Sequence, residues 1–306
     1  MKDSSEYKDN MGFALLLQGP PKTGKSSICM SFPDPWFADC DGNLASAVRQ
    51  VPGRNFYVDT IDVDDDGNEI PEKDRWTRLV TISKAAALDP RPATLCIDSL
   101  SKVAVYLVDH ILASQTMGKD NKEASDFIVG GEKMMTMRMW GPFKVLLSRY
   151  IFMLRASGKY VVVTCHEEAV KDKDTGSVLA YRPLIPSSLK EHIGAMFTDV
   201  WRTEVESQYN IVRGAAETTY SYKVRCRPTN LLALGTSLKL PATFSFSWDE
   251  LSKHLLNLGA QSKLQTTSPA QTATSVAPSK PTVGSTVEKL TAPAPWLTKP
   301  GSSVTR

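Results

Sequence analysis

The stretch "LLLQGPPKTGKSSICMSF", residues 15 to 32, constrains this chain more than any other part of it. It holds Gly19-Pro20-Pro21-Lys22-Thr23-Gly24-Lys25-Ser26, a full match to G-x-x-x-x-G-K-[ST]. The continuous apolar run "GFALLLQG" (12 to 19) before it reads as a buried strand, and "KSSICMSF" after it reads as a helix. In that setting the loop is a phosphate cradle. Backbone N–H groups of the loop from Gly19 to Ser27, a donor that Pro20 and Pro21 lack, wrap a phosphate at the positive end of the helix, the Lys25 ammonium reaches the β and γ oxygens, and the Ser26 hydroxyl joins Mg²⁺. The cofactors implied are ATP and Mg²⁺.

The rest of the chain is read for a fold that can carry such a loop. Further buried strands are expected at "PWFADCDG" (35 to 42), "ATLCIDSL" (93 to 100) and "KYVVVTCHEE" (159 to 168). Helices are expected at "KVAVYLVDHILASQTMG", stopped by Gly118, and at "WGPFKVLLSRYIFMLRASG", stopped by Gly158. This alternation makes the fold class α/β, a mainly parallel sheet with helices on both faces. The later runs "DVWRTEVES", "YNIVR", "TTYSYKVRCR" and "FSFSW" are joined by links too short for helical crossovers, so antiparallel strands are expected at the C-terminal edge.

The expected organisation is a flexible N-terminus (1 to 11), one domain (12 to 258) and a disordered tail (259 to 306). The tail is Ser, Thr, Ala and Pro with almost no large apolar residues, too little to offset its ordering entropy. Beyond Ala260, Lys263, Lys280, Lys289, Lys299 and Arg306 face only Glu288, which leaves the body near neutral and any nucleic-acid contact there to local clusters of Lys and Arg. Trp296 is the tail's large aromatic and a candidate docking anchor for a single-strand-binding protein or replication partner. The five cysteines lack C-x-x-C spacing and read as buried small hydrophobes of a reducing compartment. The polar start and the lack of an apolar run of membrane length point to a cytoplasmic protein with no membrane contact.

Within that frame, Asp98 at the end of "TLCID" is placed on a neighbouring strand to hold the Mg²⁺ shell with Ser26, or else caps the helix that follows. "DVDDDGNE" (62 to 69) begins like a calcium loop but has Lys73 where a bidentate Glu belongs, so it reads as an acidic turn. The Met-rich "EKMMTMRMW" (132 to 140) reads as helical packing or an adaptable contact surface.

The strand end "FADCDG" followed by "LCIDSLSKV" resembles the RecA-type ATPase core, and together with "GPPKTGKS", "TCHEE" and the basic strand "KVR" resembles the phage-encoded RecA-like ATP-binding proteins of the single-strand annealing recombinase group. The resemblance covers roughly residues 12 to 255. It implies a RecA-like P-loop NTPase core in which Lys25 stabilises charge, Asp41 orients the attacking water where the family usually has Glu, and His166 senses the γ-phosphate. It also implies a DNA-contacting loop after His166, for which Lys171, Lys173, Tyr181 and Arg182 are candidates beside Lys190, unless that segment is a plain solvated hairpin. Lys223, Arg225 and Arg227 are expected on one face of a strand, with Arg225 reaching a neighbouring subunit's ATP as a finger in trans; an exposed strand face and a DNA-phosphate contact are the alternatives. The implied protein is a DNA-dependent ATPase of phage recombination or replication that acts on single-stranded DNA as a homo-oligomeric ring or filament. Two other readings stay open: a nucleotide-gated annealing or partner-recruiting module with little turnover, and a small-molecule kinase.

Overall fold

The computed structural model describes residues 12–51, 53–115, 128–129, 132–212 and 215–255. The chain opens with β1 (Ala14–Gln18), all five residues buried, then the loop and α1 (Lys25–Ser31). β2 (Pro35–Asp39), α2 (Leu44–Gln50), β3 (Tyr57–Thr60) and α3 (Glu72–Leu88) follow. β4 (Thr94–Asp98) leads into α4 (Leu100–Gln115), and the short strands β5 (Ile128–Val129) and β6 (Glu132–Lys133) lead into α5 (Trp140–Arg155). β7 (Tyr160–Cys165) precedes a separate hairpin of β8 (Glu167–Lys171) and β9 (Val178–Pro183). The last strands are β10 (Asp199–Val212), β11 (Ala215–Arg225) and β12 (Thr243–Phe244).

The main sheet runs β12-β11-β10-β1-β7-β4-β2-β3. Its inner strands are parallel and buried on both faces, which is why they read as unbroken apolar runs rather than alternating ones. Alternate residues feed two cores. Ala14 and Leu16 pack with Leu79 of α3, Leu107 of α4 and Leu147 of α5, while Leu15 and Leu17 pack with Met30 of α1, Leu44 of α2, Trp201 of β10 and Leu251. The architecture is therefore the expected α/β one, a mainly parallel sheet with helices on both faces and antiparallel strands at one edge.

Several sequence expectations need correction. β10 is one long strand that joins "DVWRTEVES" to the following run as far as Val212, and its first residues run parallel to β1, with Leu15 beside Asp199. Only its pairing with β11 is antiparallel, as is that of β11 with β12. β3 and α3 were not foreseen, since α3 is polar along most of its length and buries Arg75 beside Trp76 and Leu79. The acidic turn is a turn, and its outer acids hold that arginine: Asp62 lies 3.3 Å from Arg75 Nε and Glu69 2.9 Å from Nη2. The Met-rich segment holds a short 3₁₀ turn (Met137–Met139) rather than an α-helix. The flexible N-terminus, the Gly118 stop and the tail with Trp296 lie outside the described residues.

At its C-terminal edge the sheet carries a long antiparallel ribbon. β10 pairs with β1 only as far as Arg202 beside Gln18, then continues with β11 to Val212. At about 3.4 Å per residue those ten residues carry the ribbon about 30 Å past the loop.

Candidate nucleotide site

The loop is shaped by two glycines in the left-handed region. Gly24 has φ 84° and stands at the start of α1, while Gly19 has φ 152° and lies against β10. A Cβ at Gly19 would sit 2.4 Å from Thr203 Oγ1 and 2.8 Å from the Thr203 carbonyl, so no other residue fits there without moving β10. Thr203 also meets Thr23 hydroxyl to hydroxyl at 2.5 Å, clamping the crown of the loop. Lys22, at φ 62°, is exposed at its tip.

Lys25 is buried, and its ammonium donates to the carbonyls of Gly19 (2.9 Å) and Pro20 (2.6 Å), across the loop it serves. Burial pushes its pKa below the ordinary lysine value, against the pull of Asp98. Ser26 Oγ donates to Asp98 Oδ2 at 2.5 Å, and Thr164 Oγ1 donates to Asp98 Oδ1 at 2.5 Å. Both carboxylate oxygens are thus engaged by hydroxyls, and neither caps α4, whose first turn bonds instead to the carbonyl of Ser99. Burial raises the Asp98 carboxyl above the usual range despite those two donors, and it raises Asp39 as well. The strand of Asp98 is not the neighbour of β1: β7 lies between β1 and β4 and supplies Thr164.

Asp41, just beyond β2, and His166, just beyond β7, meet directly. His166 Nε2 lies 3.2 Å from Asp41 Oδ2, whereas Nδ1 is buried with no partner, so the ring proton belongs on Nε2, donating to the carboxylate. Burial works against ionisation of Asp41, but the hydrogen bond from His166 and the positive charge of Lys102 help outweigh it and hold the carboxyl below its ordinary value. Ser101 Oγ accepts the His166 backbone N–H at 3.0 Å and fixes the end of β7.

These groups suit a nucleotide with Mg²⁺. Ser26 and Asp98 offer hard oxygens, one hydroxyl and one carboxylate, as a magnesium ion that keeps waters and phosphate oxygens requires. Among the described residues no group of three or more His, Cys, Asp or Glu could hold a metal by itself. Beside the loop is a cavity of about 230 Å³, lined by Thr23, Gly24, Ser27 and Ile28 on one wall and Tyr222, Val224 and Phe246 on the other. It is smaller than the roughly 300–1,000 Å³ clefts that hold a whole drug-sized ligand, and so suits part of a nucleotide. Tyr222, Val224 and Phe246 were missed from sequence because they lie about 200 residues from the loop and only the pairing of β11 with β10, and of β12 with β11, brings them back.

The other predicted residues divide. On the β8–β9 hairpin Lys171 and Lys173 are exposed. Tyr181 instead carries the Arg202 guanidinium at 4.9 Å from its ring, and Arg182 pairs with Glu191 at 2.8 Å. β11 ends at Arg225, so Arg227 lies beyond the strand face it was assigned to; its Nη2 meets the Leu240 carbonyl at 3.4 Å. Lys223 donates to Ser245 Oγ at 3.2 Å, and Arg225 makes a two-pronged pair with Glu204. All five cysteines are buried and free. No helix among the described residues is long and apolar enough to cross a membrane.

A family model described as an AAA domain matches residues 11–229. No curated protein matches the chain. Among solved structures, a prototypical ATPase from the type III secretion system of pathogenic bacteria is similar at 14% identity and a TM-score of 0.36, over 63% of this chain and 52% of that one. The chain therefore spans about half the length of that relative.

Proposed function

The chain belongs to the AAA domain family, and from that premise we propose that it binds Mg-ATP in the Gly19 to Ser26 cradle, hydrolyses it, and acts on single-stranded DNA in phage recombination or replication as a homo-oligomer. The observation that carries the nucleotide reading is the Ser26–Asp98 hydrogen bond, which ties the start of α1 to the end of β4 at the mouth of the loop. Ser26 and Asp98 would hold Mg²⁺, which when bound neutralises phosphate charge. Lys25 would leave its two carbonyls for the phosphate oxygens, a move helped by the high cost of burying an ammonium. The cavity beside Tyr222 would take the base. Asp41, held ionised by His166, would orient the attacking water, and His166 would report the γ-phosphate to the β8–β9 hairpin that begins at the next residue.

Support for the DNA role is narrower than the sequence suggested. Lys171 and Lys173 are open to solvent on the hairpin, while Tyr181 and Arg182 already have partners within the subunit. Hydrolysis is expected to rise with single-stranded DNA and to vanish in Lys25→Ala. A DNA-stimulated rate that survives Lys25→Ala would overturn the mechanism. Sizing with and without ATP tests the oligomer, and DNA-independent turnover by a monomer would count against the recombination role.

A second reading, a nucleotide-gated module with little turnover, is favoured by the Asp41–His166 contact. The carboxylate that should orient water is already spent on an imidazole, and an aspartate reaches one carbon less far than glutamate. Tight ATP binding with negligible hydrolysis, with or without DNA, would select it.

A further inference from the structure

The root of the β10–β11 ribbon sets two arginines directly opposite each other, Arg202 beside Arg225. Like charges in that position repel, so the pair needs anions. Arg202 is satisfied by Glu167, through Nε to Oε2 at 2.9 Å and Nη2 to Oε1 at 2.7 Å. Arg225 is satisfied by Glu204, through Nε to Oε2 at 3.2 Å and Nη2 to Oε1 at 3.0 Å. Lys223, the residue directly opposite Glu204, bonds instead to Ser245, which leaves the carboxylate to the arginines.

The two pairs differ in how freely they can open. The Glu167 and Arg202 side chains are 5% and 14% exposed, whereas Arg225 is 31% exposed. Glu204 also lies 3.5 Å from Arg202, so releasing Arg225 would not strand a buried carboxylate. A guanidinium fork reads carboxylate and phosphate oxygens by the same two-pronged geometry.

We propose that Glu204 is a positioning residue for Arg225: it holds the guanidinium fork in the isolated subunit and yields it to a nucleotide phosphate of a neighbouring copy. This rests on the reading of Arg225 as a finger in trans. It adds a cis carboxylate that must be exchanged for phosphate before the finger is complete, which makes turnover depend on assembly.

The test uses the full chain. Lys25→Ala subunits, which keep Arg225, are mixed with Arg225→Ala subunits, which keep the cradle; the mixture should recover ATPase activity that neither has alone. Glu204→Gln should lower the protein concentration at half-maximal specific activity by about two- to fivefold, the worth of one partly exposed ion pair. In nucleotide-free protein the Arg225 Nε–H resonance should be protected from exchange in wild type and unprotected in Glu204→Gln. Should Glu204→Gln fail to fold, Glu204→Asp, too short to keep both prongs, replaces it. If Arg225→Ala turns over like wild type, the trans reading falls and the proposal with it. If the mixture recovers activity but the Glu204 variants match wild type in concentration dependence and exchange, the finger stands and the role of Glu204 is refuted.

Discussion

Replacing Asp98 with Asn should stabilise the nucleotide-free protein while removing most of what Mg-ATP adds. Asp98 is 7% exposed, its carboxylate accepts from Ser26 and Thr164, and Asp41 adds like charge nearby. An asparagine keeps the network: Oδ1 accepts from one hydroxyl, and Nδ2 donates to a lone pair of the other. What disappears is the cost of a buried negative charge, and such site-optimising changes return about 0.5–2 kcal/mol. For a domain of this size each kcal/mol moves Tm by about 2–4 °C, so Asp98→Asn should melt a few degrees higher. With Mg-ATP at a hundred times its Kd, wild type gains about 2.7 kcal/mol, a gain the variant should largely lack, so the order of stability should reverse. The difference also depends on pH. The folded carboxyl titrates above the unfolded value of about 3.9, so below that pH both states are protonated and the advantage is absent. As pH rises, the unfolded chain releases its proton first, the folded state binds more protons, and wild-type stability falls relative to the variant until the folded carboxyl also ionises. Thermal melts from pH 3 to 8, with and without Mg-ATP, measure both effects. An Asp98→Asn protein less stable than wild type without nucleotide, across that range, would show the carboxylate to be a structural anchor rather than a site held ready for a cation.

Two further outcomes follow from packing. Arg202→Ala leaves Glu167 buried and unpaired and should cost about 3–5 kcal/mol in urea denaturation, whereas Arg202→Met with Glu167→Leu should recover most of that loss. Tyr222→Ala should weaken binding of a fluorescent ATP analogue by about 1–3 kcal/mol, the worth of one base stacked on an aromatic ring, while Tyr222→Phe should bind like wild type.

The cradle was legible in the sequence because its chemistry is local. Two glycines, a lysine and a serine within eight residues, between a buried strand and a helix, need no distant partner to be recognised. Asp98 was legible for a related reason, since a run of five buried residues can end in an acid only where something polar awaits it. That its strand lies two places from β1 was not, because apolar runs of similar length carry no record of their order in a sheet. The basic strand shows the limit most clearly. Spacing alone puts Lys223, Arg225 and Arg227 on one face, yet the strand stops at Arg225, and the register with β10 decides what each cation meets.

The same register explains why the candidate nucleotide site and the proposed finger belong to one element. β10 lies against β1 as far as Gln18, placing Thr203 under Gly19, and then runs on beyond the end of β1 paired with β11. Successive residues of a strand point to opposite faces, so the face carrying Thr203, Tyr222 and Val224 lines the loop and its cavity. The other face carries Arg202, Glu204 and Arg225 toward the β8–β9 hairpin and Tyr181. A base pressing on Tyr222 and a phosphate drawing on Arg225 would therefore act on opposite sides of the same two strands. Tyr222→Ala should then alter the concentration dependence of turnover as well as the affinity for nucleotide, whereas independent sites would leave that dependence unchanged.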